Sequence, residues 1–215
     1  KAHGQLTYFA TSPNCEVGQV TCLLEHLIQM SGNWGARYLL ADLAEDSEFL
    51  LAFRQADFNV WSRQKLLRFV PRSEDLATEH RYHWRPWSSQ DMKAISTLHR
   101  SLVPKLFQSI EPPTRRAALG MVLYDIDDNL LGYADLAYGP HGIWVQPVIT
   151  PQSGDAHILH DLIGSLPDNL RRPVYLSIRS YQPWLESLAD DLPFDQQAEL
   201  ALLVRYLVLQ EKVPE

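Results

Sequence analysis

Two hydrophobic periods alternate along this chain. From Val17 the apolar residues Val17, Val20, Leu23, Leu24, Leu27, Ile28 and Met30 recur at steps of three and four, which predicts an amphipathic helix that Gly32 and Asn33 stop. Ahead of it, residues 5–11 (QLTYFAT) have the β-branched and aromatic character of a strand and end in the turn residues Ser12-Pro13-Asn14. Residues 36–69 then read as an apolar strand (38–43), a short helix (47–56) and a long strand (59–69), with the phrase FRQADF closing the helix. Asp46 or Ser47 can cap that helix, and Glu48 suits its positive end. A second copy of this unit follows at 173–207: strand 174–178, helix 182–190 ending in DDLPF, and strand 200–208 containing LLVRYL, which echoes KLLRF. Repetition of one strand, helix and strand unit points to tandem α/β domains.

Between the copies, residues 71–80 (PRSEDLATEH) are polar and aperiodic, the linker of the chain. Tyr82-His83-Trp84 opens a strand, and a helix at 90–102 follows with Ser88 or Ser89 as cap. Residues 104–111 read as a second short helix closed by Pro112-Pro113. Residues 117–125 and 130–138 form a hairpin around Asp127-Asp128-Asn129, followed by a strand at 143–150 and a helix at 154–166. The domain boundaries expected are 1–72, a linker at 73–80, and 81–215. The first copy is expected to be incomplete at its N-terminal side, since the chain starts at Lys1 in the middle of the repeat.

Composition narrows the class. With 215 residues, 46% of them apolar and 21% charged, the chain can bury one large or two small cores. A net charge of −7 without a sizeable basic patch disfavours nucleic acid as partner. Two cysteines, Cys15 and Cys22, do not make a disulfide framework and fit the cytoplasm. No apolar run approaches the roughly eighteen residues of a membrane span, so no membrane partner is expected.

The element order and these phrases resemble the GNAT superfamily of acetyl-CoA-dependent N-acyltransferases, over nearly all of the second half and over the first half from its central strand onward. The resemblance implies a mixed-sheet α/β fold, here a tandem GNAT-like acyl-CoA N-acyltransferase fold. It also implies transfer of an acyl group from acetyl-CoA, with release of coenzyme A, to the amine of a small molecule or protein. In that family a Gln/Arg-x-x-Gly-x-Gly/Ala loop opens a helix with paired leucines, because bare backbone N–H groups at a helix N-terminus hold the pyrophosphate. Aligned on Leu23-Leu24, this chain has Cys15, Gly18 and Val20 at the motif positions and Glu16 between them. The implied cofactor contacts are therefore Glu16, Val17, Gly18, Gln19 and Val20 for pyrophosphate, and Ala10, Thr11 and Ser12 for the pantetheine arm. In the second copy the loop is Pro151-Gln152-Ser153-Gly154-Asp155, where Asp155 is most simply a helix cap that fills the anion site itself.

The family's late helix carries a tyrosine that protonates the departing thiolate. Phe53 and Ala189 stand at that position in the two copies, Asp46 replaces the helix-starting asparagine of the first, and Asp57 and Pro193 replace the glycine four residues after the tyrosine. No catalytic residue is assigned. The alternative is a catalytically degenerate scaffold that binds a ligand or mediates assembly.

Other candidates have plainer readings beside them. Cys15 near a helix start is a nucleophile or a small loop residue. His157 and His160 lack carboxylate or cysteine partners at metal-ligand spacing, so no metal is expected. Glu45, Asp46 and Glu48 are a general base or a helix cap. Trp84, Trp87, Trp144 and Trp184 line an apolar cleft or pack the core. The run Arg179-Ser180-Tyr181-Gln182-Pro183-Trp184 is the most site-like group of the second domain or a packed strand-to-helix connection. An exposed strand edge in the first domain makes a homodimer the expected assembly.

Overall fold

A computed structural model of the protein describes residues 3–12, 14–70, 81–114, 119–153, 155–166 and 172–207. The expected linker at 73–80 lies outside them. The chain divides into two compact units, one of Lys1–Gln64 with Glu199–Glu215 and the other of Lys65–Ala198. The strand at the C-terminal end, placed with the second domain from its position in the sequence, thus contributes its latter half to the first unit.

The first unit contains β1 (His3–Leu6), α1 (Val17–Asn33), β2 (Tyr38–Ala44), α2 (Leu50–Gln55) and parts of two long strands, β3 (Asn59–Phe69) and β9 (Asp195–Tyr206). Its strand order is β1-β2-β9-β3, with β1 parallel and β9 antiparallel to β2. Alternation in β2 sends Leu39, Ala41 and Leu43 into a core completed by Val20 and Leu24 of α1, Phe53 of α2, and Ala201 and Leu203 of β9. β9 belongs here because all seven residues of β2 pair with it, from Tyr38↔Tyr206 to Ala44↔Leu200. Helix α2 is shorter than expected: Ser47 Oγ accepts the Phe49 N–H at 3.3 Å in a turn, and helical geometry starts only at Leu50. β1 likewise ends at Leu6, short of the expected Thr11.

The second unit contains the rest of β3 and β9 with β4 (Arg85–Pro86), α3 (Met92–Leu102), β5 (Gly120–Tyr124), β6 (Leu130–Gly139), β7 (Gly142–Ile149), α4 (His157–Gly164), β8 (Val174–Arg179) and α5 (Pro183–Asp190). Its strand order is β3-β8-β7-β6-β5-β4. The hairpin turn holds as read: Asp128 takes φ 61° and Asp125 accepts the N–H groups of Asp127 and Asn129. Tyr82-His83-Trp84 does not form the expected strand. The Asp161 carboxylate takes the Arg81 and Tyr82 N–H groups, both at 2.8 Å, and the Trp84 indole N–H donates to the Ile158 carbonyl at 3.0 Å. Before α3, a 3-10 turn at Ser89–Asp91 is capped by Ser88. Asp91 is the anchor there, accepting two bonds from Arg85 (2.7 and 3.0 Å) and one from the Tyr124 hydroxyl (2.8 Å). The Arg85 guanidinium holds the Asp91 carboxyl well below the usual carboxylate range, and burial with that carboxylate beside it pushes the Tyr124 phenol up to about 12. Residues 104–111 form consecutive turns, with Glu111 donating its N–H to the Phe107 carbonyl, instead of the helix expected.

Candidate functional site

Each unit contains a pair of adjacent parallel strands, β1 with β2 and β7 with β8, and in the second unit the pairing stops before the strands end. In the second unit β7 and β8 pair only at Ile143↔Val174, Trp144↔Tyr175 and Val145↔Leu176, although β7 continues to Ile149 and β8 to Arg179. Past this point β7 is bonded to side chains from the start of α5. Gln182 Oε1 accepts the Ile149 N–H at 3.2 Å while its Nε2 donates to the Pro147 carbonyl at 3.1 Å, and the Trp184 indole N–H donates to the Ile149 carbonyl at 3.1 Å. Three backbone polar groups that the splayed strands leave without a ladder are therefore satisfied internally.

A buried polar cluster adjoins this point. Arg179, with 0% of its surface exposed, donates from Nε to Glu111 at 2.9 Å and from Nη2 to Gln146 at 3.1 Å. Gln146 Nε2 and the Tyr181 hydroxyl also donate to Glu111, at 2.5 and 2.9 Å. The run that looked most site-like in the sequence thus packs the strand-to-helix connection. His99 Nδ1 lies 2.8 Å from the Tyr133 hydroxyl; burial pushes that phenol up and the imidazole down.

The start of α4 is occupied too. Asp155 accepts the His157 backbone N–H at 3.0 Å and lies 2.6 Å from His157 Nδ1, while Arg81 donates to its other oxygen at 3.2 Å. These bonds, the backbone one first, hold the Asp155 carboxyl below its ordinary range, so an ionised carboxylate sits at the helix N-terminus. The adjoining cleft, of ≈ 670 Å³, is lined by Asp155, His157, His160 and Asp191 with Leu188 and Leu192. Both histidines have a hydrogen-bonding carboxylate neighbour, His160 at 3.2 Å from Asp161. Among the described residues no group of three or more His, Cys, Asp or Glu is placed to hold a metal ion.

The first unit differs. β1 and β2 pair from His3↔Tyr38 to Leu6↔Ala41, and β2 runs on to Ala44. Beyond Leu6 the chain carries Phe9 edge-on against Phe49 and Phe53, and then Ala10, Thr11 and Ser12 lie exposed. Glu16 is the N-cap of α1 and forms a capping box with Gln19, its own N–H donating to Gln19 Oε1 at 3.1 Å. The Gln19 and Val20 N–H groups turn back onto the Glu16 carbonyl. Of the five N–H groups from Glu16 to Val20, those of Val17 and Gly18 have no acceptor among the described residues. A Cβ built on Gly18 would meet nothing within 4 Å. Cys15 is half-buried in the loop, its N–H bonded to the Ser12 carbonyl at 3.0 Å. Of the acidic cluster, Glu45 is paired with Arg63.

Phe53 and Ala189 are both buried in their cores, so neither late helix presents a phenol. Asp57 adopts φ 58°, the left-handed conformation that glycine takes without strain at this helix end.

No family model matches the chain, and no curated protein matches it significantly. Solved structures do. A functionally unknown conserved protein from Staphylococcus epidermidis ATCC 12228 superposes with TM-score 0.63 at 10% identity, over 90% of this chain and 82% of that one. A tandem GNAT protein from the clavulanic acid biosynthesis pathway gives 0.56 at 13%, over 95% and 75%. A GCN5-related N-acetyltransferase from Kribbella flavida gives 0.55 at 13%, over 88% and 76%. The chain has the GNAT fold. At such identities the likeness is one of fold, and it bears out the mixed-sheet α/β architecture read from the sequence. Within that fold, α1 and α4 are the two helices to whose N-termini the sequence resemblance points for coenzyme A. No helix among the described residues is long and apolar enough to cross a membrane.

Proposed function

We propose that this GNAT-fold chain transfers an acyl group from acetyl-CoA or a related acyl-CoA to the amine of a small molecule or protein, with the cofactor held by the first unit. The observation that carries this reading is the contrast between the two helix starts. At α1 Gly18 and Gln19 are exposed, the Val17 and Gly18 N–H groups lack acceptors among the described residues, and Gly18 leaves room for a phosphate. At α4 an ionised carboxylate already occupies the equivalent place. Ala10, Thr11 and Ser12, exposed in the segment that follows β1, supply backbone groups for a pantetheine arm. The thiolate leaves without a tyrosine to protonate it and takes its proton from water. The two free cysteines fit a cytoplasmic setting.

A second reading, a GNAT-like scaffold that binds a ligand or mediates assembly without chemistry, draws on Gln182 and Trp184 filling the splayed strands and on Phe53 and Ala189 at the tyrosine positions. Calorimetric titration of acetyl-CoA and of coenzyme A separates the two. Micromolar binding that disappears in Gly18→Glu, a substitution at an exposed position with open space, supports acyl transfer at the first unit. Absence of binding at millimolar cofactor removes the enzyme reading.

A further inference from the structure

The cleft of ≈ 670 Å³ in the second unit is bordered by two helix ends of opposite polarity. Asp155, His157 and His160 line it from the start of α4, and Leu188, Asp191 and Leu192 from the end of α5. Its volume is that of a small-molecule site. A helix start favours anions and a helix end favours cations. Here the two do not offset each other, because Asp155 already neutralises the start of α4. The end of α5 instead carries Asp190 and Asp191, and its last turn contains no basic residue. No Lys or Arg occurs between Arg179 and Arg205 to compensate it along the chain. Asp191 is exposed, and its carboxylate makes no hydrogen bond or ion pair among the described residues. A carboxylate at the negative end of a helix dipole costs stability unless a cation joins it.

The histidine tautomer points the same way. His157 Nδ1 lies 2.6 Å from Asp155 Oδ1, and an ionised carboxylate can only accept, so Nδ1 holds the ring proton. In the neutral ring Nε2 is then an acceptor, and it has no partner among the described residues. Asp191 and His157 thus offer open acceptors, while no Lys or Arg lines the cleft. Half-buried Leu188 and Leu192 add an apolar wall. A metal ion is not the cation that fits, since no group of three or more ligating side chains converges among the described residues. We propose that this cleft binds a small organic ammonium with a short alkyl body. Its N–H groups donate to the Asp191 carboxylate and His157 Nε2, and its chain lies on Leu188 and Leu192. A diphosphate would meet acceptors where it needs donors, so the cleft selects against coenzyme A. The site does not depend on where the cofactor binds.

Titration of the chain with n-pentylamine at neutral pH tests this, followed at the His157 ring and the Leu188 and Leu192 methyl resonances, with 1-pentanol and pentanoate as uncharged and anionic counterparts. The amine is expected to give saturable shifts in about the millimolar range or below, the alcohol to bind more weakly, and pentanoate to give no shifts. Asp191→Asn weakens the amine by about fivefold and leaves the alcohol unchanged, a split that damage to the fold would not produce. Far-UV circular dichroism stays the same, because position 191 is at the surface. Absence of saturable shifts with the amine, an affinity indifferent to Asp191→Asn, or pentanoate bound as tightly as the amine overturns the proposal. All of these are read without acetyl-CoA, so failure here leaves the reading of the first unit standing.

Discussion

Each unit sets a helix start after a strand of a parallel pair, and the two finish it in opposite ways. In the second unit the Gln182 amide bridges Ile149 and Pro147, Trp184 takes a third backbone group, and Asp155 neutralises the α4 N-terminus. In the first, exposed residues Ala10, Thr11 and Ser12 follow the strand, a Cβ on Gly18 would meet nothing within 4 Å, and the Val17 and Gly18 N–H groups have no acceptor among the described residues. A corner whose donors and acceptors are satisfied from within contributes stability; on the proposed reading, the one left open takes the cofactor.

The largest effect that would sharpen this contrast is at Arg179. Arg179→Met leaves Glu111 buried beside its lost cation and lowers stability by about 3 to 5 kcal/mol, read from the midpoint of urea unfolding; a loss under about 1 kcal/mol would mean that the cluster is not structural. Next is Gln182→Ala, which strands a buried N–H and carbonyl at a cost of about 1 to 3 kcal/mol and leaves acetyl-CoA affinity unchanged. A large drop in affinity would break the contrast, because it would put the cofactor in the second unit. Glu16→Gln, which removes a carboxylate from the α1 start while keeping a hydrogen-bonding cap, tightens acetyl-CoA binding by up to about fivefold, the worth of about 1 kcal/mol at a helix N-terminus; calorimetry checks it. The smallest effect is at His99. Burial lowers its pKa, so the unfolded chain binds a proton that the folded one does not. The resulting stability is complete above the unfolded value near pH 6.5 and declines as pH falls through the folded value. His99→Gln flattens that decline in melting temperature measured against pH.

Local pattern made much of this fold legible. α1 runs from Val17 to Asn33 and β3 from Asn59 to Phe69, as their periodicities and stop residues predicted, and the Asp155 cap was visible as an aspartate just ahead of an apolar helix. What escaped was set by distant or masked signals. β9 begins at Asp195, five residues before the expected start, because DQQAE is polar and mostly exposed and offers no alternation to read. Its pairing with β2 joins residues far apart in sequence, which no local period reports. Residues 104–111 have helical composition, yet the Gln108 side chain donates to the Val103 and Arg100 carbonyls, and Glu111 is drawn into the Arg179 cluster. Gln182 stood in a run singled out from the sequence, but its role depends on Pro147 and Ile149, 35 and 33 residues earlier. The cofactor contacts assigned by resemblance lie together at the α1 start, though Glu16, Gln19 and Val20 spend their N–H groups within the helix cap.

The most direct test follows backbone and indole N–H resonances in an isotope-labelled sample as coenzyme A is added. The account predicts shifts at Val17 and Gly18 and through Ala10, Thr11 and Ser12, with Ile149, His157 and the Trp184 indole unmoved. Shifts confined to Ile149, His157 and Trp184 would contradict it, since the corner that appears filled would then be the one that opens.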